Sequence, residues 1–469
     1  MNDTAVGSAG GIARERDAIT AGLVRLSEWA TSAAAQPTPE ATLAKTARVF
    51  VDDVAAMCAA FSQPEIAAMH RAALQSGLSQ AVLFAPGAPR ADRHGAAIAN
   101  GTAGCWCELD EGFRGAPCHG GLYVLPALLA EAESRDLTLG EVLRALAISY
   151  EVCARIAETW TFPGISVHPH AAFANFGAVA GAALATGATA SDLASALRIV
   201  GGMVPAGAYQ AAVEGALVRN LWTGQAASTG MWAVSWAQAG LDGYPDGPHP
   251  AFTGLFGATT RPEKLTQDLG TRWAIEGGYH KLHGCCHSTH AAVESALAMR
   301  RQIDVASAHD DIVAIRLYTH RPAMGNKAPA NSLAARFSFE HVVAVSLALG
   351  HTRPQAFEPA AIDAPIVSAL RQRIELLPYD PLPAWPLDRP ARLEITLKDG
   401  RVLVSECLSA PGGPDQPLTN AQILNKVTGL TRDDYPGFGG VAERVLSLDA
   451  ALMSRPWREV VQQWLAAND

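Results

Sequence analysis

The segment Leu137-Thr-Leu-Gly-Glu-Val-Leu-Arg-Ala-Leu-Ala-Ile-Ser-Tyr-Glu-Val-Cys-Ala-Arg-Ile156 sets the character of the fold. Its apolar residues recur at helical spacing over several turns, which is typical of a buried helix. Thr138 stands three residues before Glu141, the capping-box pattern of a helix start. The segment therefore predicts a long helix that begins near Thr138 and packs inside a helical protein.

The chain around this segment has the same helical spacing of apolar residues. Almost no alternation with a period of two occurs in the first 260 residues, which are dominated by Ala, Leu and Gly. Helical spacing of apolar residues predicts three further helices, over 42–61, 170–185 and 190–202. The stretch 176–186 is rich in Gly and Ala, so we expect a close-packed, buried helix there. The first part of the chain is therefore predicted to be all-helical.

The pattern of apolar residues changes after Gly270. Asp311-Ile-Val-Ala-Ile-Arg-Leu-Tyr-Thr319 alternates as a strand does, and residues 337–349 favour a helix. Arg392-Leu-Glu-Ile-Thr-Leu-Lys-Asp-Gly-Arg-Val-Leu-Val-Ser-Glu406 predicts a hairpin that turns at Asp399-Gly400. This part therefore predicts a small α+β domain.

Helical spacing returns after Pro411-Gly-Gly-Pro414 and continues to Asp469. The fold class that we predict is mainly α, with a large all-helical domain and a smaller α+β lid domain inserted before the C-terminal helices. The predicted boundaries are 1–268 for the first helical part, 269–410 for the lid domain and 411–469 for the C-terminal return.

Composition limits the classes of function. The chain has 469 residues, 49% of them hydrophobic, enough for two or three cores. A net charge of −9 without a basic block argues against nucleic acid, and no apolar run approaches the length of a membrane span. The start of the chain lacks a signal-peptide pattern, and eight cysteines form no disulfide framework. We therefore expect a cytoplasmic protein.

Several motifs are absent from the sequence. It contains no G-x-x-x-x-G-K-[ST], no strand-bounded G-x-G-x-x-G, no H-E-x-x-H, no G-x-S-x-G and no C-x-x-C. These absences argue against nucleotide binding, dinucleotide binding, zincin and serine-hydrolase chemistry, and an iron–sulfur cluster.

The densest chemistry lies in Lys281-Leu-His-Gly-Cys-Cys-His-Ser-Thr-His290. Three interpretations are open: a proton-transfer pocket, a polar helix start, or a zinc site using His283, Cys286 and His287 or His290. Four-coordinate zinc sites usually combine two ligand pairs from separate elements. Because no second pair appears, we favour proton transfer and predict no metal.

A second group of polar residues lies in Cys105-Trp-Cys-Glu-Leu-Asp-Glu111 and Pro117-Cys-His-Gly-Gly121. Three carboxylates within four residues are costly to bury together unless they meet a cation or share a proton. The segment is therefore either a solvated acidic loop or a loop beside the substrate, with His119 presented among glycines.

Two further candidates precede or begin apolar helices. Val167-His-Pro-His170 places His168 where an imidazole can face an anion at a helix N-terminus, although a structural histidine is the alternative. Arg219 is a lone cation in an apolar stretch, suited either to a substrate carboxylate or to an internal ion pair.

Together these segments resemble the MmgE/PrpD family, which contains 2-methylcitrate dehydratase, cis-aconitate decarboxylase and iminodisuccinate epimerase. The matching pieces follow one another in order, at 99–101, 119–130, 149–155, 168–178, 219–227, 281–290, 335–344, and 417–419 with Lys426. The resemblance implies cofactor-free elimination, decarboxylation or proton transfer on a small polycarboxylate. It also implies a pocket between the helical and lid domains, and a homodimer.

The resemblance also implies site residues, in two sets. Family positions taken as catalytic fall on His119, His168, Lys281, Asp110 and Glu108. Positions taken as substrate-binding fall on Arg219, His290, Cys286 and, as a lid tyrosine, Tyr318. The chain departs from the family pattern at several of these places, with Gly112 for a threonine, Glu108 for an aspartate, Gly120 for a proline and Arg219 for a lysine.

The expected chemistry follows from these roles. Arg219 and Lys281 would hold substrate carboxylates, and the developing enediolate charge would be stabilised by cations. His168 would act as general base and His119 as its partner acid. Asp110 or Glu108 would orient a histidine or protonate the leaving group. The leading function is a hydro-lyase; the alternatives are an epimerase, isomerase or decarboxylase on a related acid, and a non-catalytic paralogue that binds an organic acid.

Overall fold

The computed structural model describes residues 9–305 and 309–466, so the predictions for residues 1–8 and for the end of the last helix at Asp469 lie outside the described residues. The fold is mainly α-helical, as predicted. The helices of the first part are α1 Ala9–Ala33, α2 Glu40–Ala59, α3 Pro64–Leu74, α4 Arg93–Trp106, α5 Gly120–Arg135, α6 Leu139–Thr159, α7 Pro169–Thr186, α8 Ala190–Gly201, α9 Gln210–Glu214 and α10 Val218–Gln238.

The remaining helices follow after residue 289. They are α11 His290–Arg300, α12 Ser332–Phe337, α13 Phe339–Leu349, α14 Pro359–Ile362, α15 Pro365–Arg373, α16 Asn420–Thr431, α17 Phe438–Leu446, α18 Ala450–Met453 and α19 Trp457–Trp464. Single 3₁₀ or π turns connect the longer elements at Pro250–Leu255, Pro262–Leu265, Ala274–Gly277, His287–Thr289, His309–Asp311 and Pro354–Phe357.

The predicted helix start at Thr138 is confirmed. The Thr138 side chain accepts the backbone N–H of Glu141, and the Glu141 carboxylate accepts the backbone N–H of Thr138. Helix α8 begins with the same reciprocal pair, formed by Thr189 and Asp192. Two backbone donors that the helix would leave unsatisfied are paired at each start, which fixes where the helix begins.

Helices α4, α5, α7 and α10 form the centre of the first part, and glycines allow them to approach closely. A side chain on Gly101 of α4 would reach within 2.9 Å of the backbone of Gly224 on α10. A side chain on Gly230 of α10 would meet Ala178 of α7 at 2.6 Å. Backbone-to-backbone packing therefore fixes the relative positions of the helices whose ends carry the site.

A four-stranded sheet lies in the second part, in the order β10-β9-β7-β8. The predicted strand is β7 Ile312–Thr319, and the predicted hairpin is β9 Ala391–Leu397 with β10 Val402–Cys407. Gly400 turns this hairpin with a positive φ of 86°. Strand β8 Ile374–Pro378, which pairs in parallel with β7, was not predicted. Two-residue strands elsewhere are β1 Ala81–Val82, β2 Arg90–Ala91, β3 Gly112–Phe113, β4 Trp160–Thr161, β5 Thr259–Thr260 and β6 Gly278–Tyr279.

The helical part and the sheet-containing part each have a large hydrophobic core of their own. One contains buried residues from 19–275 and 418–465, and the other contains residues from 209–397. The C-terminal helices belong to the first core, where Phe50 of α2 packs between Trp457 and Trp464. The presence of two cores supports the proposed domain boundaries near residues 268 and 410. The boundaries themselves and the role of the second part as a lid stay predictions.

The predicted helix over 337–349 is present as α13, which begins two residues later than predicted, at Phe339. Ser338 has an extended backbone and caps α13, with its hydroxyl accepting the N–H of His341, so α12 and α13 are separate helices.

In the part of the chain that the structure describes, no helix is both long enough and apolar enough to cross a membrane.

Candidate active site

A cavity of about 380 Å³ opens between the two parts of the protein. The ends of the central helices form one wall, which includes His119, His168 and Arg219. The other wall comes from residues after 278 and includes Lys281 and Cys286. Side chains from both walls therefore meet in one water-accessible space.

A short strand pair holds the two walls together. Strand β3, which follows the acidic loop, pairs with β6, which precedes Lys281, so that Gly112 lies opposite Tyr279. The loop itself requires an unusual backbone at Glu108, whose φ is +52°. A non-glycine residue in this left-handed region costs about 1 kcal/mol, and such residues concentrate at functional sites. The strained turn directs Glu108 into the cluster of charges described next.

Four charged side chains form a compact, buried cluster. Arg219 Nη2 lies 2.5 Å from Oε1 of Glu108, and Lys281 Nζ lies 3.0 Å from Oε2 of the same carboxylate. Lys281 Nζ also lies 3.0 Å from Oδ1 of Asp110. All four side chains are at most 2% exposed. The acidic segment is thus not a solvated loop, because two cations compensate its buried carboxylates.

The cluster fixes the protonation of its members. Burial opposes the charged form of Glu108, but Arg219 and Lys281 outweigh burial and hold the pKa of this carboxyl below its ordinary value. For the same reason the pKa of Asp110 is lowered, chiefly by Lys281 and His119 against burial. Burial also opposes the charge of Lys281, yet Asp110 and Glu108 raise its pKa well above the ordinary value. The cluster is therefore two cations facing two anions.

His119 is oriented by acceptors behind it. Its Nδ1 lies 2.7 Å from Oδ2 of Asp110 and 2.8 Å from the carbonyl oxygen of Glu111. Because both neighbours accept hydrogen bonds, Nδ1 carries the ring proton and Nε2 keeps its lone pair. His119 lines the cavity, so that lone pair is available to a substrate.

His168 has a different environment, between two donors. Its Nδ1 accepts the backbone N–H of His170 at 3.1 Å, and Nε of Arg219 lies 3.1 Å from its Nε2. A neutral imidazole has one acceptor nitrogen and cannot satisfy both contacts. Burial, followed by the charge of Arg219, holds the pKa of His168 well below its ordinary value. A second proton on this ring, which would make it an imidazolium, is therefore strongly disfavoured.

Gly112, where a threonine was expected from the family pattern, has a structural explanation. A Cβ atom on Gly112 would lie 2.4 Å from the hydroxyl and ring of Tyr279. The Tyr279 ring therefore fills the space that a threonine side chain would use. Tyr279 lines the cavity, and its hydroxyl has no hydrogen-bond partner among residues 9–305 and 309–466. A phenol thus stands where a threonine hydroxyl was expected.

The structure does not bring every predicted site residue to the cavity. Cys286 lines it, 4.0 Å from the Tyr209 hydroxyl. His290 is buried behind the wall, with Nε2 3.3 Å from the carbonyl oxygen of Cys285. Tyr318 lies on strand β7, and its hydroxyl donates to Glu394. Neither His290 nor Tyr318 lines the cavity, so the structure does not bring these two residues to the candidate site, and their substrate contacts stay a prediction.

The ligands of the alternative zinc interpretation have separate partners. His283 contacts Thr352 through Nδ1 and Glu294 through Nε2. His287 contacts Arg389, while Cys286 faces the cavity. In the described parts of the chain, no three His, Cys, Asp or Glu side chains are grouped as a metal site would need. The zinc interpretation therefore receives no geometric support.

Sequence reasoning missed several residues of the cavity wall. They are Tyr209, Tyr279, Arg321, Arg389 and, at the exposed mouth, Arg261, whereas His287 was named only as an alternative zinc ligand. Tyr279 and His287 adjoin or belong to the segment around Lys281, and the strand pairing of Tyr279 could have been suspected from its position. Arg321 and Arg389 lie in connecting segments without a motif, so no local signal identified them.

Glu111, the last residue of the acidic segment, forms a second pair of carboxyl groups with Asp53 of α2. Glu111 accepts the N–H of Gly121 at 2.7 Å and the hydroxyl of Tyr150 at 2.9 Å. Asp53 accepts the N–H of Glu111 through Oδ1, whereas its Oδ2 is buried without a partner in the described part of the chain. Burial raises the pKa of Glu111 to about 8, and burial together with Glu111 raises that of Asp53. We infer that this pair holds a proton at neutral pH.

We predict that the free energy of unfolding falls as the pH rises from 6.5 to 8. Glu111 keeps its proton in the folded protein but loses it near pH 4.5 when the protein is unfolded. The stabilisation that this proton provides is complete below pH 4.5 and is lost as the pH rises through 8. The slope from one group is at most about 1.4 kcal/mol per pH unit. Urea unfolding at several pH values should show a flatter dependence for Glu111→Gln.

The matched control for this prediction is Glu214→Gln, since Glu214 is exposed. Burial lowers the pKa of Lys45 to about 8. Above that pH, Lys45 makes the free energy of unfolding rise with pH, which opposes the effect of Glu111. The predicted fall is therefore limited to pH values below 8. An identical pH dependence in wild type and Glu111→Gln would show that Glu111 is ionised at neutral pH.

The fold and the cavity define a class of protein: mainly helical, in two parts, with an internally neutralised charge cluster between them. The chain belongs to the MmgE/PrpD family. Residues 24–268 match the MmgE/PrpD N-terminal domain, and residues 283–439 match the MmgE/PrpD C-terminal domain.

Named relatives are similar over most of their length. The chain is 25% identical over 391 residues to the cis-aconitate decarboxylase-like protein oryM of Aspergillus oryzae, covering 76% of this chain and 80% of the relative. It is 25% identical over 391 residues to cis-aconitate decarboxylase of Aspergillus terreus, with 76% and 78% covered. It is 26% identical over 352 residues to cis-aconitate decarboxylase of Homo sapiens, with 71% of each chain covered. The family and these relatives support a dehydratase- or decarboxylase-type enzyme acting on a polycarboxylate.

Proposed function

We propose that this protein is a lyase that removes a proton next to a carboxylate of a small di- or tricarboxylic acid, with dehydration as the leading net reaction. The observation that supports this most directly is the pairing of His119 with Asp110 at the cavity wall. An ionised carboxylate beside Nδ1 stabilises the imidazolium that forms when Nε2 takes a proton. His119 is therefore the better base.

This assignment reverses the roles expected from sequence. His168 faces the guanidinium of Arg219, which makes its ring a poor base because the protonated form would meet a fixed positive charge. Glu108 and Asp110 are ionised by their cations, so neither has a proton to give to a leaving group. We assign Asp110 to orienting His119, and His168 to positioning Arg219.

The remaining steps can be written with residues of the cavity. His119 takes the proton from the carbon next to the carboxylate, and the electron pair forms an enediolate whose negative charge the ammonium group of Lys281 stabilises. Collapse of the enediolate forms the double bond and expels hydroxide, which leaves as water with the proton of the Tyr279 hydroxyl. Tyr279 recovers a proton from His119 through solvent, which restores both groups.

Decarboxylation is the second candidate. The names of the relatives favour it, since three of them are described as cis-aconitate decarboxylases or as a protein like one. In that reaction the carbon–carbon bond to a carboxylate breaks, carbon dioxide leaves, and a protonated group returns a proton to carbon. The same cation and histidine would serve both reactions, so the substrate decides between them.

A homodimer is also proposed. Helix α10 exposes Val218, Leu221 and Trp232, and the chain just beyond it exposes Leu241 and Tyr244. Large apolar residues that are exposed along a helix and just beyond it support burial against another protein chain. The cytoplasmic location stays a prediction.

The proposed function is tested by incubating the protein in heavy water with a panel of small di- and tricarboxylates, cis-aconitate included. Acids that raise the melting temperature are followed by proton NMR. We expect deuterium at a carbon next to a carboxylate together with formation or hydration of a double bond. Release of carbon dioxide would select decarboxylation, and exchange without a double bond would select an epimerase. Acids that bind without exchange would contradict the proposal and favour a binding protein.

A further inference from the structure

A second group of polar side chains lies on the far side of Tyr279 from His119. The Tyr279 ring stacks on His287 with 3.8 Å between ring centroids, and the edge-to-face contact with His119 spans 6.4 Å. Arg389 and Arg321 line the cavity next to His287. The steps proposed above use none of these three side chains.

The proton of His287 can be placed from its partner. Arg389 Nη1 lies 2.7 Å from Nδ1 of His287. Because a guanidinium only donates, Nδ1 is the acceptor and the ring proton is on Nε2. This Nε2 is buried and has no hydrogen-bond partner among the residues that the structure describes. A buried N–H without an acceptor is unfavourable, so the arrangement calls for an acceptor from outside the protein.

The charges at this end of the cavity are not balanced. Arg219 and Lys281 face two carboxylates at the inner end. Arg389 and Arg321, in contrast, have no Asp or Glu oxygen within ion-pair distance among the described residues. The neighbouring Arg114 is already paired with Asp388.

Burial makes this imbalance significant. Burial, followed by the charge of Arg114, lowers the pKa of Arg389 to about 10, the direction expected for a cation that has another cation nearby and no carboxylate within ion-pair distance. An uncompensated cation in a site with little water is costly, and a bound anion removes that cost.

We infer that Arg389, Arg321 and the Nε2–H of His287 form a subsite for a substrate carboxylate remote from the carbon that loses its proton. This inference rests on the proposed function and adds the residues that hold the second carboxylate of the substrate. The acid must carry at least two carboxylates, one beside His119 and Lys281 and one beyond the Tyr279 ring. Arg219, which was expected to hold a substrate carboxylate, is occupied by Glu108 instead.

The test uses tricarballylate, a saturated tricarboxylate that cannot undergo the elimination, and measures its affinity by calorimetry. Arg389→Gln should weaken binding about 10- to 100-fold, because one charge-assisted contact to the ligand is lost. Arg321→Gln is the second variant, since this half-buried side chain forms no ion pair with the described residues and the fold should be retained. Arg392→Gln is the control, because Arg392 is exposed, pairs with Glu394 and does not line the cavity.

Failure of the subsite and failure of the proposed lyase function would give different results. Binding of tricarballylate to wild type is measured whether or not any acid is turned over, so the affinity reports the subsite independently of the lyase reaction. Equal affinities for wild type, Arg389→Gln and Arg321→Gln would overturn the subsite, and so would absence of binding to wild type at millimolar concentration. Loss of affinity in both arginine variants, without turnover of any acid, would support the subsite and contradict the lyase.

Discussion

Replacing His119 by glutamine is expected to lower the turnover of any acid that the wild-type protein deprotonates by about 100- to 10,000-fold. Glutamine keeps a polar side chain of similar reach but has no nitrogen lone pair that can take a proton at neutral pH. Steady-state kinetics on the acid identified by proton exchange measures the effect. Asp110→Asn should give a smaller loss, since the base is kept but the carboxylate that orients Nδ1 and stabilises the imidazolium is removed.

The control for this prediction is His94→Gln. His94 stacks on Trp232 and contacts Ser228 outside the cavity, so its replacement should leave turnover unchanged. Turnover that falls equally in His94→Gln and His119→Gln would mean that the loss reflects folding, and circular dichroism would show it. Full turnover in His119→Gln would remove this histidine from the mechanism.

Replacing Lys281 by methionine is expected to lower the free energy of unfolding by about 3–5 kcal/mol. Glu108 and Asp110 would then share a buried site with Arg219 as the single remaining cation of the cluster. Removing one partner of a buried charge network leaves an uncompensated charge, which costs more than the pair contributed. Urea unfolding at pH 7 measures the loss.

The matched control is Lys398→Met. Lys398 pairs with Asp311 at 3.7 Å, but both side chains are 63% exposed. Such surface pairs contribute about 0–1 kcal/mol, so this variant should unfold almost as wild type does. A loss of less than about 1 kcal/mol for Lys281→Met would mean that Glu108 or Asp110 takes up a proton instead, contrary to the charge balance described here.

Much of the helical framework could be predicted because local rules dominate it. Capping residues such as Thr138 mark helix starts, and the Asp399-Gly400 turn marks the hairpin. Strand β8 could not be predicted, because it is short, lies at the sheet edge and is stabilised by parallel pairing with a strand more than fifty residues away. Helix α1 was not predicted because its first turns are rich in glycine and charge, although its buried residues Ile19, Leu23, Leu26 and Ala30 recur at helical spacing.

The members of the candidate site were predictable, but their partners were not. The motifs identified Glu108, Asp110, His119 and Lys281, whereas the pairing of cations with carboxylates depends on how β3 meets β6 across the cavity. The same crossing places the Tyr279 ring over Gly112, so a residue that looked like a lost hydroxyl has a neighbour that supplies one.

Deuterium exchange at the carbon next to a carboxylate tests the central claim most directly, because it reports proton removal whatever the net reaction is. Wild type, His119→Gln and His168→Gln are compared in heavy water by proton NMR, at ligand concentrations that saturate each protein. We predict exchange in wild type and loss of exchange in His119→Gln, with binding retained. Exchange that persists in His119→Gln but is abolished in His168→Gln would contradict the account and return the role of base to His168.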